Sequence, residues 1–272
     1  METLIQASSS VATNTAAAVV PHAEKGISVV LKAEHIGDLF GLPLTNSLLM
    51  TWTVVALLLF FAFFVRNRLA LIPGKLQTAV EWLFQSVLDY MSETLEDEKL
   101  ARKFFPLVMT IFLFVFVANE MAFIPGVGSF GIKEGAELVP LFRAPAADLN
   151  FTLALALISF FTIEITGAAV LGFYKYSKKY VNFSSLINFV VGLIELLSNV
   201  GRLISFSFRL FGNIFAGEVM ILVAGFFFAY FLPVPLMAFE VFVGFIQAVV
   251  FSMLTLFFIK LSVMEPHGDE SH

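Results

Sequence analysis

Residues 183–228 read FSSLINFVVGLIELLSNVGRLISFSFRLFGNIFAGEVMILVAGFFF, 46 positions without a proline. At 1.5 Å per residue a helix of that length measures roughly 69 Å, about twice the ~30 Å hydrocarbon core of a bilayer. It cannot stand upright: it either breaks near Gly192 or Gly201 or lies strongly tilted. Beyond Pro233 and Pro235, residues 236–264 form a second apolar run, roughly 43 Å long as a helix. Two overlong helices joined by a short turn predict a hairpin lying obliquely in the membrane.

The first arm is not uniformly apolar. Glu195, Asn199, Arg202, Ser205, Arg209 and Asn213 recur every three or four residues, which places them on one helix face. Each charge inside an apolar helix costs about 2.5–3.5 kcal/mol on insertion scales and needs a reason. For the Ser and Asn side chains a buried seam that fixes packing serves as well as an ion path. A guanidinium differs, because it does not deprotonate in proteins. Arg209 sits among Phe206, Phe208, Leu210 and Phe211 and therefore calls for a carboxylate. The nearby Gly212, Ala216 and Gly217 lack bulk, as residues do where membrane helices approach closely.

The rest of the chain fits an all-α integral membrane protein. Of its 272 residues 59% are hydrophobic and 34 are Phe, with a mean hydropathy of +0.91, outside the range of water-soluble domains. Further spans are expected at 48–65, 104–124 and 149–173, making about five membrane helices. Residues 75–100 mix Ala79, Leu83, Val87, Met91 and Leu95 with acids and read as an amphipathic surface helix. The organisation is a tail at 1–45, one membrane domain at 46–265 and a short tail at 266–272. The first basic residue is Lys25, so no cleaved signal peptide is expected.

Composition also narrows the chemistry. There is no Cys, and the four His lie in the terminal tails, which disfavours metal sites and His- or Cys-based catalysis. A net charge of −5 concentrated in loops and tails points to no nucleic-acid partner. No Gly-x-x-x-x-Gly-Lys phosphate loop is present, so the chain is expected to have no cofactor and no catalytic site of its own. Arg66, Arg68, Lys75, Lys99, Arg102, Lys103, Lys175, Lys178 and Lys179 fall on one side of the membrane, and Lys25, Lys32, Lys133 and Arg143 on the other. The positive-inside rule makes the first side cytoplasmic, with the N-terminus outside and the C-terminus inside.

The run Ser-Phe-Arg-Leu-Phe-Gly-Asn-Ile-Phe-Ala-Gly-Glu at 207–218 resembles the signature of the a-subunit of the membrane sector of F-type ATP synthases. The resemblance extends over residues 40–265 through Pro145-Ala-Ala-Asp-Leu-Asn150, Glu195 and Gln247. It implies a bacterial inner-membrane subunit whose hairpin curves around a rotating c-subunit ring. Arg209 then faces the ring carboxylates, and the peripheral-stalk b-subunit and remaining synthase subunits are further partners. The implied cargo is protons, with sodium the alternative, carried through two half-channels that do not connect. Depth sorts the polar residues between them: Asn119, Glu120, Asp148, Asn150, Asn213, Glu218 and Glu240 toward the outside; Glu195, Ser198, Asn199, Arg202 and Ser205 toward the cytoplasm. Asp148 and Asn150 serve equally well as a helix cap.

An antiparallel hairpin keeps the sum of level residue numbers constant, which puts Arg209 level with Gln247 and Glu218 level with Glu240. The family commonly holds one acid and one His at the last two positions, whereas both are Glu here. Two such carboxylates are expected to share a proton and titrate as a unit. Glu164 matches no family residue and is expected to pair with Arg202. The competing readings are a secondary transporter, which predicts repeats and matching broken helices, and a structural subunit, which predicts apolar residues at 209, 218 and 240.

Overall fold

The computed structural model describes residues 33–39, 42–124, 131–134, 137–180, 186–228 and 231–263. Most of the N-terminal tail, the Gly-rich loop at 125–130, residues 183–185 of the hairpin and the C-terminal tail lie outside the described residues. The helices are α1 (Asn46–Arg66), α2 (Lys75–Leu95), α3 (Glu98–Ala122), α4 (Leu149–Leu171), α5 (Phe173–Tyr180), α6 (Leu186–Phe227) and α7 (Pro233–Val263). Five of them, α1, α3, α4, α6 and α7, are long and apolar enough to cross a membrane.

Helix α6 runs unbroken through Gly192 and Gly201 for 42 residues, so of the two alternatives for this segment the continuous helix is the one adopted. Nothing in its own backbone forces a break, since it carries no proline and the i to i−4 ladder needs no side chain. Helix α7 begins at Pro233, three residues earlier than the sequence pattern indicates, because proline is compatible with a first helical turn whose N–H groups have no intrahelical acceptor. The arms meet with Phe206 on Phe251, ring centroids 5.1 Å apart, and with Gly217 against Glu240. Both pairs of residue numbers total 457, one hairpin register. That register sets Arg209 level with Ala248, one residue from Gln247.

Other boundaries shift for local reasons. Asp97 accepts from Lys99 N (2.8 Å) and Leu100 N (3.2 Å), so α3 starts at residue 98, well before its apolar run begins. The surface helix stops at Leu95, because Glu96 adopts the left-handed conformation (φ 57°). Gly172, at φ 84°, ends α4 at residue 171 and turns the chain back as α5.

Helices α3, α4, α6 and α7 surround the main core of Val115, Ala156, Leu210, Ile214 and Ala248, among others. A second cluster joins Met91 and Leu95 of α2 to Val108, Leu256 and Ile259. The C-terminal end of α2 is thus buried on the bundle, while Leu76 and Trp82 nearer its start are exposed.

Two antiparallel hairpins, β1–β2 (His35–Leu39, Leu42–Thr45) and β3–β4 (Gly131–Glu134, Glu137–Pro140), add to the helical plan. Buried Asn46 ties them together. It exchanges bonds with Glu34 and donates Nδ2–H to the carbonyl of Pro140 (3.5 Å).

Candidate functional site

Arg209 lies on the exposed side of α6. Its guanidinium donates to Ser205 Oγ at 3.5 Å, and none of the ion pairs among the described residues includes it. Gly201 and Gly212 face the same way, and a Cβ built at either meets nothing within 4 Å. Ala216 is also exposed. The small residues therefore leave open space outside this chain beside an unpaired fixed charge. Gly217 differs from this expectation. It turns inward, where a Cβ would overlap the Glu240 carboxyl.

One cluster gathers at one end of the bundle. Glu240 is 3% exposed and its Oε2 has no hydrogen-bond partner among the described residues. One turn further along α7, the carbonyl of Gly244 accepts from Asn119 Nδ2 at 3.1 Å. Asn119 Oδ1 and Glu120 Oε1, at the end of α3, are also buried without partners. Beside Gly217, Glu218 reaches Arg143 Nε at 3.6 Å, a cation brought in by the loop after β4. Buried oxygens normally find donors, so three that lack them among the described residues set this cluster apart from ordinary packing. Asn213 is half-buried on α6. Asp148 caps α4 through the N–H of Asn150 (3.0 Å), and the Asn150 side chain is exposed.

A second cluster lies toward the other end. Arg202 reaches Glu195 (3.4 Å), donates to Asn199 Oδ1 and stacks over the ring of Phe258, 4.9 Å to the centroid. Glu164 does not pair with Arg202, contrary to expectation. Its Oε2 accepts from the hydroxyls of Tyr176 and Tyr180, both at 2.9 Å, and its Oε1 accepts from Asn199 Nδ2 at 3.1 Å. The reversal of α5 supplies these nearer donors. A cavity of about 460 Å3 opens between Glu164, Tyr176, Tyr180, Glu195, Ser198 and Arg202. Gln247 is half-buried on α7.

The model of the family described as ATP synthase A chain matches residues 48–260, from α1 almost to the end of α7. ATP synthase subunit a of Desulfotalea psychrophila is 36% identical over 226 residues, covering 80% of this chain and 84% of that protein. ATP synthase subunit a of Campylobacter concisus is 33% identical over 202 residues (74% and 82%), and that of Helicobacter pylori strain P12 is 33% identical over 219 (79% and 88%). The chain belongs to the ATP synthase A chain family. It is a multi-pass membrane protein of that family.

Two features of this ATP synthase A chain member escaped sequence reasoning. Arg143 reads in the sequence as one more external basic residue; the available signal was a lone cation just before a span, on the same side as Glu218. Tyr176 and Tyr180 sit in what reads as a basic boundary segment. Their four-residue spacing, which puts two hydroxyls on one face of a turn, was the available signal.

Proposed function

We propose that the chain is the stationary proton-carrying subunit of a rotary ATP synthase, working through two offset half-channels that meet a rotating c-subunit ring at Arg209. The observation that carries this reading is the lack of any ion-pair partner for Arg209 among the described residues, on an open helix face inside the membrane. A fixed positive charge there needs a carboxylate, and a second chain is left to bring it.

The outer cluster of Asn119, Glu120, Glu218 and Glu240 admits a proton from outside. The proton neutralises a ring carboxylate, which then rotates through lipid. Nearly a turn later it leaves past Glu195, Asn199, Arg202 and Ser205. Arg209 favours the ionised ring carboxylate as it passes and repels cations that would leak straight across. A membrane potential contributes about 2.3 kcal/mol per charge per 100 mV. The orientation is N-terminus outside and C-terminus cytoplasmic, in a bacterial inner membrane. The b-subunit stalk holds the chain still while the ring turns. Which ion is carried is set by the ring carboxylate, with sodium as the alternative cargo.

Arg209→Ala is expected to leave insertion and assembly intact and to abolish ATP-driven pumping in inverted membrane vesicles. Arg209→Lys is expected to fail largely too, since a compact ammonium loses its proton more readily and lacks the planar fork. Near-normal pumping by an assembled Arg209→Ala complex overturns the reading.

A further inference from the structure

The inner cavity contains a carboxylate that the route above does not use. Glu164 lies seven residues before the end of α4, about 10 Å of helix from that end. Three side chains aim donors at it: two tyrosine hydroxyls and an amide N–H. Tyr180 also accepts from Asn199 Nδ2 at 2.7 Å, and the two hydroxyls are 3.2 Å apart. The arrangement is built rather than incidental. Gly172 at positive φ reverses the chain, and Gly167 leaves the space that the Tyr176 ring fills, where any Cβ would collide with it.

Burial raises both hydroxyls, that of Tyr180 to about 12 and that of Tyr176 further, so both remain protonated donors at working pH. Among the described residues, the titratable and charged groups facing Glu164 are those two tyrosines on α5 together with Glu195 and Arg202 on α6. Helix α7 contributes Phe258, Leu261 and Ser262 to the cavity, while its Lys260 is turned to Glu96. Arg202 is engaged by Glu195 and Asn199, so among the described residues Glu164 is met by neutral donors. Such a carboxylate exchanges a proton without first breaking an ion pair.

We propose that Glu164 is a proton-accepting station of the inner half-channel, positioned by Tyr176, Tyr180 and Asn199. The proposal rests on the half-channel reading above. A proton carried on cavity water adds to a Glu164 oxygen, leaving neutral water and a carboxylic acid. The acid then returns the proton to another water nearer the cytoplasm, restoring the carboxylate and its hydrogen bonds.

The test uses the intact synthase in inverted vesicles. Pumping is measured first, then passive proton flux against cytoplasmic-side pH after the water-soluble catalytic sector is removed. Glu164→Gln keeps an acceptor for the tyrosines but cannot take a proton. It is expected to lower flux about 10-fold, less than the 10²–10⁴-fold typical of proton transfer at a reacting group because cavity water offers a parallel path. It is also expected to flatten the pH dependence, with Glu164→Asp retaining most of both. Normal flux and an unchanged pH profile in Glu164→Gln overturn the proposal and leave Glu164 a latch for α5. If Glu164→Gln does not assemble, the Tyr176→Phe Tyr180→Phe double variant carries the test, since it keeps the packed rings and removes the donors; an unchanged profile then overturns the proposal. Arg209→Ala runs alongside. Pumping that survives it sinks the parent reading, whereas lost pumping with a normal Glu164→Gln sinks this one alone.

Discussion

Gly217 and Gly212 are five residues apart on one helix and have opposite surroundings. A Cβ at Gly217 overlaps the Glu240 carboxyl, while one at Gly212 meets nothing of this chain. Overpacking a tight contact costs about 1–3 kcal/mol. Gly217→Ala is therefore expected to lower the thermal stability of the purified complex by that amount, less the roughly 1 kcal/mol that alanine gains over glycine in a helix; a complex as stable as the parent or more so would contradict the described packing of α6 on α7. The Arg143–Glu218 contact supports a second expectation at this scale. If the 3.6 Å pair acts as one unit in the outer cluster, Arg143→Gln, Glu218→Gln and the double variant should slow pumping to a similar degree. Losses that multiply in the double variant would show the two residues act separately. Arg143 also bears on the expectation that Glu218 and Glu240 share a proton, because a cation stands beside one of the two acids.

Elements were legible in the sequence where hydrophobic length decided them and obscure where a single backbone conformation did. The five spans follow from apolar runs that only lipid accommodates, and the hairpin register follows from two pairs of polar residues. The sorting of the polar residues into an outer and an inner group rests on the same apolar runs and on the proposed orientation. The reversal after Gly172 was not, since a glycine at the end of an apolar run reads equally well as a plain helix stop. With it went the partners of Glu164. The β-hairpins were missed because strands of four or five residues bearing His, Lys and Glu have too little alternation to announce themselves. The turn from α2 to α3 offers a test at this scale. Asp97 alone supplies both side-chain cap bonds to the start of α3. Asp97→Ala should cost about 1 kcal/mol in thermal unfolding, with Asp97→Asn recovering most of it. No measurable loss would mean that the neighbouring Met91 and Leu95 contacts hold the turn unaided.

At the scale of the whole molecule, five crossings among the described residues would put the segment before α1 and the end of α7 on opposite sides of the membrane. Arg66 ends α1 and Arg68 follows it, while Asp38, in β1 before α1, is expected on the side that carries few basic residues. The two sides of α1 can be told apart cleanly because the chain has no cysteine of its own. Leu71 is fully exposed in the connection to α2, and the Asp38 side chain is 71% exposed. Leu71→Cys should therefore react with a membrane-impermeant thiol reagent only in inverted vesicles, and Asp38→Cys only in intact cells stripped of their outer barrier. If both react from one side, α1 does not cross. If the sides are exchanged, the clusters keep their geometry but trade roles: the acids of Glu218 and Glu240 then open to the cytoplasm and the Glu164 cavity to the outside. Charge argues against that outcome, since turning the chain over would carry nine basic residues across the membrane in place of four.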